Sequence, residues 1–123
     1  MRRVKGRKVE GHSMLLPVKD GIKIGQAKLV ALDKDGYARE AAKEENIKIV
    51  GVSTTSTKGV ESSVLVETGG FVLAQDGTIK MTDITKDCYV ADSATVTLTE
   101  TASSKAGKII GVEDDGVTVL IQA

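Results

Sequence analysis

The chain has 123 residues, long enough for one domain with a buried core, and its 17 basic and 17 acidic residues leave no net charge. Two tyrosines, one phenylalanine and no tryptophan mean that packing must rest on Val, Ile, Leu and Ala. A single cysteine excludes an internal disulfide and fits assembly in a reducing cytosol; no apolar run is long enough to predict a membrane-spanning helix.

Residues 1–13 open the chain as a basic arm. Arg2, Arg3, Lys5, Arg7 and Lys8 all precede the first acid, Glu10. Removing these five cations from the total of 17 leaves 12 basic against 17 acidic residues over residues 9–123, a charge of −5. Gly6 and Gly11, with no apolar periodicity, predict an extended segment without structure of its own. No apolar segment follows the cations as a secretory signal would require. An arm of one sign on a body of the other is expected to lie on an acidic protein surface.

From Met14 the pattern is that of β structure. Met14–Val18 reads as a strand, at an edge because Pro17 has no N–H to donate. Asp20-Gly21 predicts a turn, Ala27–Leu32 a strand, Asp33–Gly36 a hairpin turn and Tyr37–Ala41 the return strand. By propensity, residues 38–46 also suit one or two helical turns. Ile47–Val52 is a strand, and Ser53–Ser62 a polar loop suited to mobility or to contact with a neighbour.

Ser63–Glu67 and Phe71–Ala74 are strands about Gly69-Gly70, and Asp76-Gly77 is a turn. Ile79–Thr85 reads as strand and connector, Asp87–Asp92 as a strand, and Thr95–Thr99 alternates with period two. After a loop at Thr101–Ala106, a hairpin over Ala106–Ile121 turns at Asp115-Gly116, where Gly supplies positive φ at little cost. Some nine or ten short strands at close spacing predict an all-β fold, a compact barrel or sandwich over residues 14–123.

The chain also repeats itself. Ile49-Val50-Gly51-Val52 returns sixty positions later as Ile109-Ile110-Gly111-Val112. At that offset, residues 24–52 match their counterparts at nine of 29 positions without a gap, among them Lys48 with Lys108, where chance gives roughly two. A second echo sets Asp20-Gly21-Ile22-Lys23 against Asp76-Gly77-Thr78-Ile79-Lys80, with one indel between the halves. Pseudo-repeats of about 14–68 and 69–123 are expected.

No constellation for catalysis emerges. His12 is the one histidine, and with a distant Cys88 it forms neither a zinc site nor a nucleophile–base pair. Cys88, within a strand pattern, reads as a small buried hydrophobe. Glu113-Asp114-Asp115 fits a tight turn better than a cation loop, and Gly69-Gly70 lacks the helix that a phosphate-binding loop needs. The expectation is a protein that is not an enzyme and carries no cofactor or metal.

The strand-and-turn patterns, in their order and spacing, carry a resemblance from about Arg7 onward. They are Leu15-Leu16-Pro17-Val18, Gly21-Ile22-Lys23-Ile24, Leu29–Leu32, Gly36-Tyr37-Ala38 and Ile49–Val52. Gly69-Gly70-Phe71, Cys88–Asp92, Thr95-Val96 and the terminal hairpin complete the series. The chain resembles the small decoration, or cement, proteins encoded beside the major capsid gene of tailed phages and Mu-like prophages. Thr118 departs from that pattern, standing where such chains often have an aromatic.

The resemblance implies a β-rich, tulip-like homodimer or homotrimer made in the host cytoplasm and seated on the outer surface of the virion capsid. Its partner would be the major capsid protein, contacted by an arm bearing Arg2, Arg3, Lys5, Arg7, Lys8 and His12. The alternative is a β-barrel adaptor that binds DNA, or a tail or baseplate component, through the same arm. Nucleic acid is the weaker choice, since the body is acidic and nearly without aromatics to stack bases.

Overall fold

A computed structural model describes residues 13–58, 62–114 and 116–121. In chain order the first strands are β1 (Ser13–Pro17), β2 (Lys23–Ile24), β3 (Leu29–Leu32), β4 (Ala38–Glu40), β5 (Lys48–Ser53), β6 (Thr57–Lys58) and β7 (Ser63–Glu67). They are followed by β8 (Gly69–Gln75), β9 (Asp87–Asp92), β10 (Thr95–Thr97), β11 (Lys105–Glu113) and β12 (Gly116–Ile121), with a 3-10 turn at Met81–Asp83. Strands β1-β7-β5-β3-β4 form an open sheet, β10-β8-β12-β11-β9 close into a barrel, and β2 with β6 makes a short ribbon. The fold is all-β, as the spacing of short apolar runs predicts.

Local departures from the sequence reading have local causes. Ser13, expected in the arm, opens β1 by pairing with Glu67. Residues 38–40 form no helical turn, because β4 pairs with β3 and Ala41 N–H then donates to the Leu29 carbonyl at 2.8 Å. The polar stretch after Ser53 contains β6, tied to β2 through Thr57. Its Oγ1 accepts from Ile24 N–H at 2.9 Å and donates to the Ile22 carbonyl at 3.1 Å. Gly69 and Gly70 lie inside β8, and residues 81–83 turn where a strand was expected.

That turn is held by Asp83, whose carboxylate accepts from Lys80 N–H at 2.8 Å and from Lys86 Nζ at 3.1 Å. The Lys80 amide, then the Lys86 ammonium, pull the Asp83 pKa below its ordinary value. Asp33 is lowered chiefly by the Tyr37 amide, and Asp76 chiefly by the Thr78 hydroxyl. Each depressed carboxylate stabilises the fold above its unfolded pKa of about 3.9 and loses that contribution as pH falls through its folded pKa. The urea midpoint should therefore hold steady above about pH 5 and fall with acid below about pH 4. Asp83→Asn should shallow that decline, as urea titrations at a series of pH values would show.

The open sheet and the barrel share one strand order. Taking β1, β7, β5, β3 and β4 in turn against β8, β12, β11, β9 and β10 matches every neighbour in one with a neighbour in the other. The match extends to irregularities. Gly51 of β5 crosses β7 so closely that a Cβ would stand 2.5 Å from the Glu67 carbonyl oxygen; at Gly107 of β11 it would stand 2.4 Å from that of Leu120 on β12. Beside each glycine the ladder skips one residue. Val30 and Ala31 pair with Gly51 and Ile49, passing over Val50, while Cys88 and Tyr89 pair with Gly107 and Lys105, passing over Ala106.

Gly51 thus corresponds to Gly107, not to Gly111, and the offset is 107 − 51 = 56 rather than sixty. The shorter echo has this spacing too: Gly21 and Gly77 both turn with positive φ, 83° and 95°.

Two apolar clusters result. Val18, Ile24, Val30, Ala38, Val50, Val64 and Val66 form one cluster on the open sheet. The other faces of β3 and β5, Leu29, Ala31, Ile49 and Val52, join the cluster of Val90, Val96, Ile109, Val117, Val119 and Ile121 from the barrel. β3 and β5 are therefore buried on both sides and hold the two halves together. The bulkiest fully buried side chains are Ile and Leu, while Tyr37, Phe71 and Tyr89 are only half-buried, so apolar aliphatic packing carries the core.

The two sheets differ at their closing edge. The barrel closes where β10 runs parallel to β8, with Ala74 N–H donating to the Ala94 carbonyl at 3.3 Å. Pro17 holds the matching place in β1 and has no N–H to give. Side chains bridge the gap instead: Lys19 Nζ lies 3.4 Å from Asp35, 3.7 Å from Asp33 and 5.2 Å from the Tyr37 ring centroid.

Candidate functional site

The residues singled out in the arm, Arg2, Arg3, Lys5, Arg7, Lys8 and His12, lie outside the described residues. Cys88 is fully buried, its thiol donates to the Gly107 carbonyl at 3.6 Å, and burial pushes its pKa up to about 11. It acts as core and not as a nucleophile, because the thiolate is the reactive form. Among the described residues no three of His, Cys, Asp and Glu converge as metal ligands would.

Among the described residues, two hollows lie on the outer side of β9 and β11. The larger, 680 Å³, opens where β5 meets the barrel; Lys48, Lys105 and Lys108 stand about a floor of Ile47, Ile49, Ala106 and Leu120. The smaller, 560 Å³, shares Lys108 and is lined by Asp87, Tyr89, Leu98 and Glu100. Burial is the first cause of a raised Tyr89 pKa, with Glu100 and Asp87 adding to it.

Ser104 fixes the geometry of the larger hollow. Its Oγ accepts from Ile47 N–H at 3.1 Å and donates to the Glu44 carbonyl at 2.6 Å, pinning the entry to β5 against the entry to β11. Leu29 N–H donating to the Ser93 carbonyl at 2.7 Å makes a second link between the halves. With both backbones held, Lys48 and Lys105 project from strands whose relative position is set. Lys105 pairs with Asp87 at 3.3 Å, whereas Lys48 and Lys108 have no ion-pair partner among the described residues.

Reading the sequence by runs did not single out these lysines. A trace of them was present in the identity of Lys48 with Lys108. A further one lay in Lys105-Ala106-Gly107-Lys108, where cations interrupt an otherwise apolar strand. No protein-family model, curated protein or solved structure matches the chain.

Proposed function

We propose that this chain is a capsid decoration protein, binding the outer surface of an icosahedral shell and bridging neighbouring major capsid subunits. The observation that carries the reading is the series of strand and turn patterns from Leu15 to the terminal hairpin, together with the basic arm that precedes it. The position of β1 supports it. This strand lies at the edge of the open sheet, with Leu15 67% exposed and Ser13, where the described chain begins, exposed as well.

The mechanism is added contact area. An interface of standard size buries roughly 1,600 Å², and many identical contacts on one shell act together. Five cations in the arm make the attachment sensitive to salt.

Co-sedimentation with expanded, undecorated shells across a salt series tests the reading. The full chain should bind saturably at a fixed ratio to capsid subunits, more weakly as salt rises, and a chain beginning at Ser13 should no longer bind. Full occupancy by the truncated chain would remove the arm from the mechanism. Binding to duplex DNA but not to shells would favour the adaptor.

A further inference from the structure

We propose that the groove between β5 and β11 is a docking site for an acidic, extended segment of a partner protein, with acids and apolar residues alternating along it. The inference does not depend on the capsid reading. It starts from Lys48 and Lys108, two exposed cations on opposite halves that share one hollow and lack a carboxylate partner among the described residues. The body around them, residues 14–123, carries more acids than bases, 16 against 12, and what sets these two apart from its other lysines without ion pairs is that both stand over one apolar floor. A negatively charged ligand supplies the missing charge.

The floor sets the rest of the ligand. Ile47, Ile49, Ala106 and Leu120 are aliphatic, and Gly107 beside them adds no side chain of its own. A strand presents successive side chains to opposite faces, so a Leu–Glu alternation would lay leucines on the floor and hold glutamates out toward the lysines. A nucleic acid fits less well. It offers no aliphatic side chains, and the floor offers no ring on which a base would stack.

The correspondence between the two sheets points to the same face. Leu29, Ala31, Ile49 and Val52 pair across β3 and β5 as Asp87, Tyr89, Lys105 and Lys108 do across β9 and β11, by the glycine and bulge positions described above. In the open sheet that face is covered by the barrel; in the barrel it is polar, is not covered, and forms the two hollows. The groove is continuous with the interface between the halves, since Ile49 belongs to both.

The test is fluorescence anisotropy with the full chain and three labelled probes: a decapeptide alternating leucine and glutamate, its leucine–glutamine counterpart, and a short DNA duplex. The Leu–Glu peptide should bind saturably, and the double variant Lys48→Gln, Lys108→Gln should weaken it at least about tenfold while the thermal melt stays unchanged. The arm is the same in both proteins, so the difference between them isolates the groove. Equal binding of the Leu–Gln peptide, undiminished binding by the double variant, or DNA binding that depends on the same two lysines would each overturn the proposal.

Discussion

Gly107→Ala is expected to destabilise the chain by about 3 kcal/mol, and Gly51→Ala by a similar amount, at the upper end of what overpacking costs. The added methyl at residue 107 would stand 2.4 Å from the Leu120 carbonyl oxygen and 2.8 Å from a Val119 methyl; at residue 51 it would stand 2.5 Å from the Glu67 carbonyl oxygen and 2.6 Å from a Val66 methyl. Neither clash is with the free end of a long side chain. Relief would require parting β11 from β12, or β5 from β7, in ladders whose neighbouring residues are hydrogen-bonded.

Gly111→Ala is the control, because its methyl would meet Thr118 Cβ at 3.4 Å, an ordinary contact. Urea unfolding of the three variants separates the two ways of matching the halves. Large losses at residues 51 and 107 with little change at 111 would support the structural match. A loss at 111 equal to that at 51, with residue 107 tolerant, would restore the offset of sixty.

That test also shows what the sequence made legible and what it did not. Strand positions were readable because alternation and Asp-Gly pairs are local signals: Ser63–Glu67 and Asp87–Asp92 fall where the pattern puts them. The repeat was readable in outline, but its register was not. Counting identities rewards shared strand vocabulary such as Ile-x-Gly-Val, whereas the role of Gly51 is set by a carbonyl on β7, sixteen residues further along the chain.

Closure of only one sheet was half legible. Pro17 announced an edge, but nothing in the sequence said that Ala74, at the matching place, would complete a ring. The groove was less legible still, because Lys48 and Lys108 are brought to one hollow by packing between the halves. Their identity at an offset of sixty, which the structural match does not keep, gave no hint of proximity.

Val52→Lys should be among the most damaging single substitutions in the chain, although lysine is what stands at the corresponding position 108. Val52 is 4% exposed and lies in the cluster shared with the barrel, so its replacement would set an ammonium group between the halves. An uncompensated buried charge costs about 3–5 kcal/mol, by strain, by water entry or by loss of the proton, against a typical total stability of about 5–15 kcal/mol. A fall of more than about 10 °C in the thermal midpoint is expected.

The reciprocal change, Lys108→Val, removes an exposed side chain without an ion-pair partner among the described residues and should alter stability by no more than about 0.5 kcal/mol. Circular dichroism melts of both proteins would decide the matter. If Val52→Lys melts with the unchanged chain, the face of β3 and β5 does not hold the halves together. If the asymmetry appears, strand order alone does not determine what a face does. The same pairing then packs as core where Leu29, Ala31, Ile49 and Val52 make it dry, and remains an open surface where Asp87, Tyr89, Lys105 and Lys108 keep it wet.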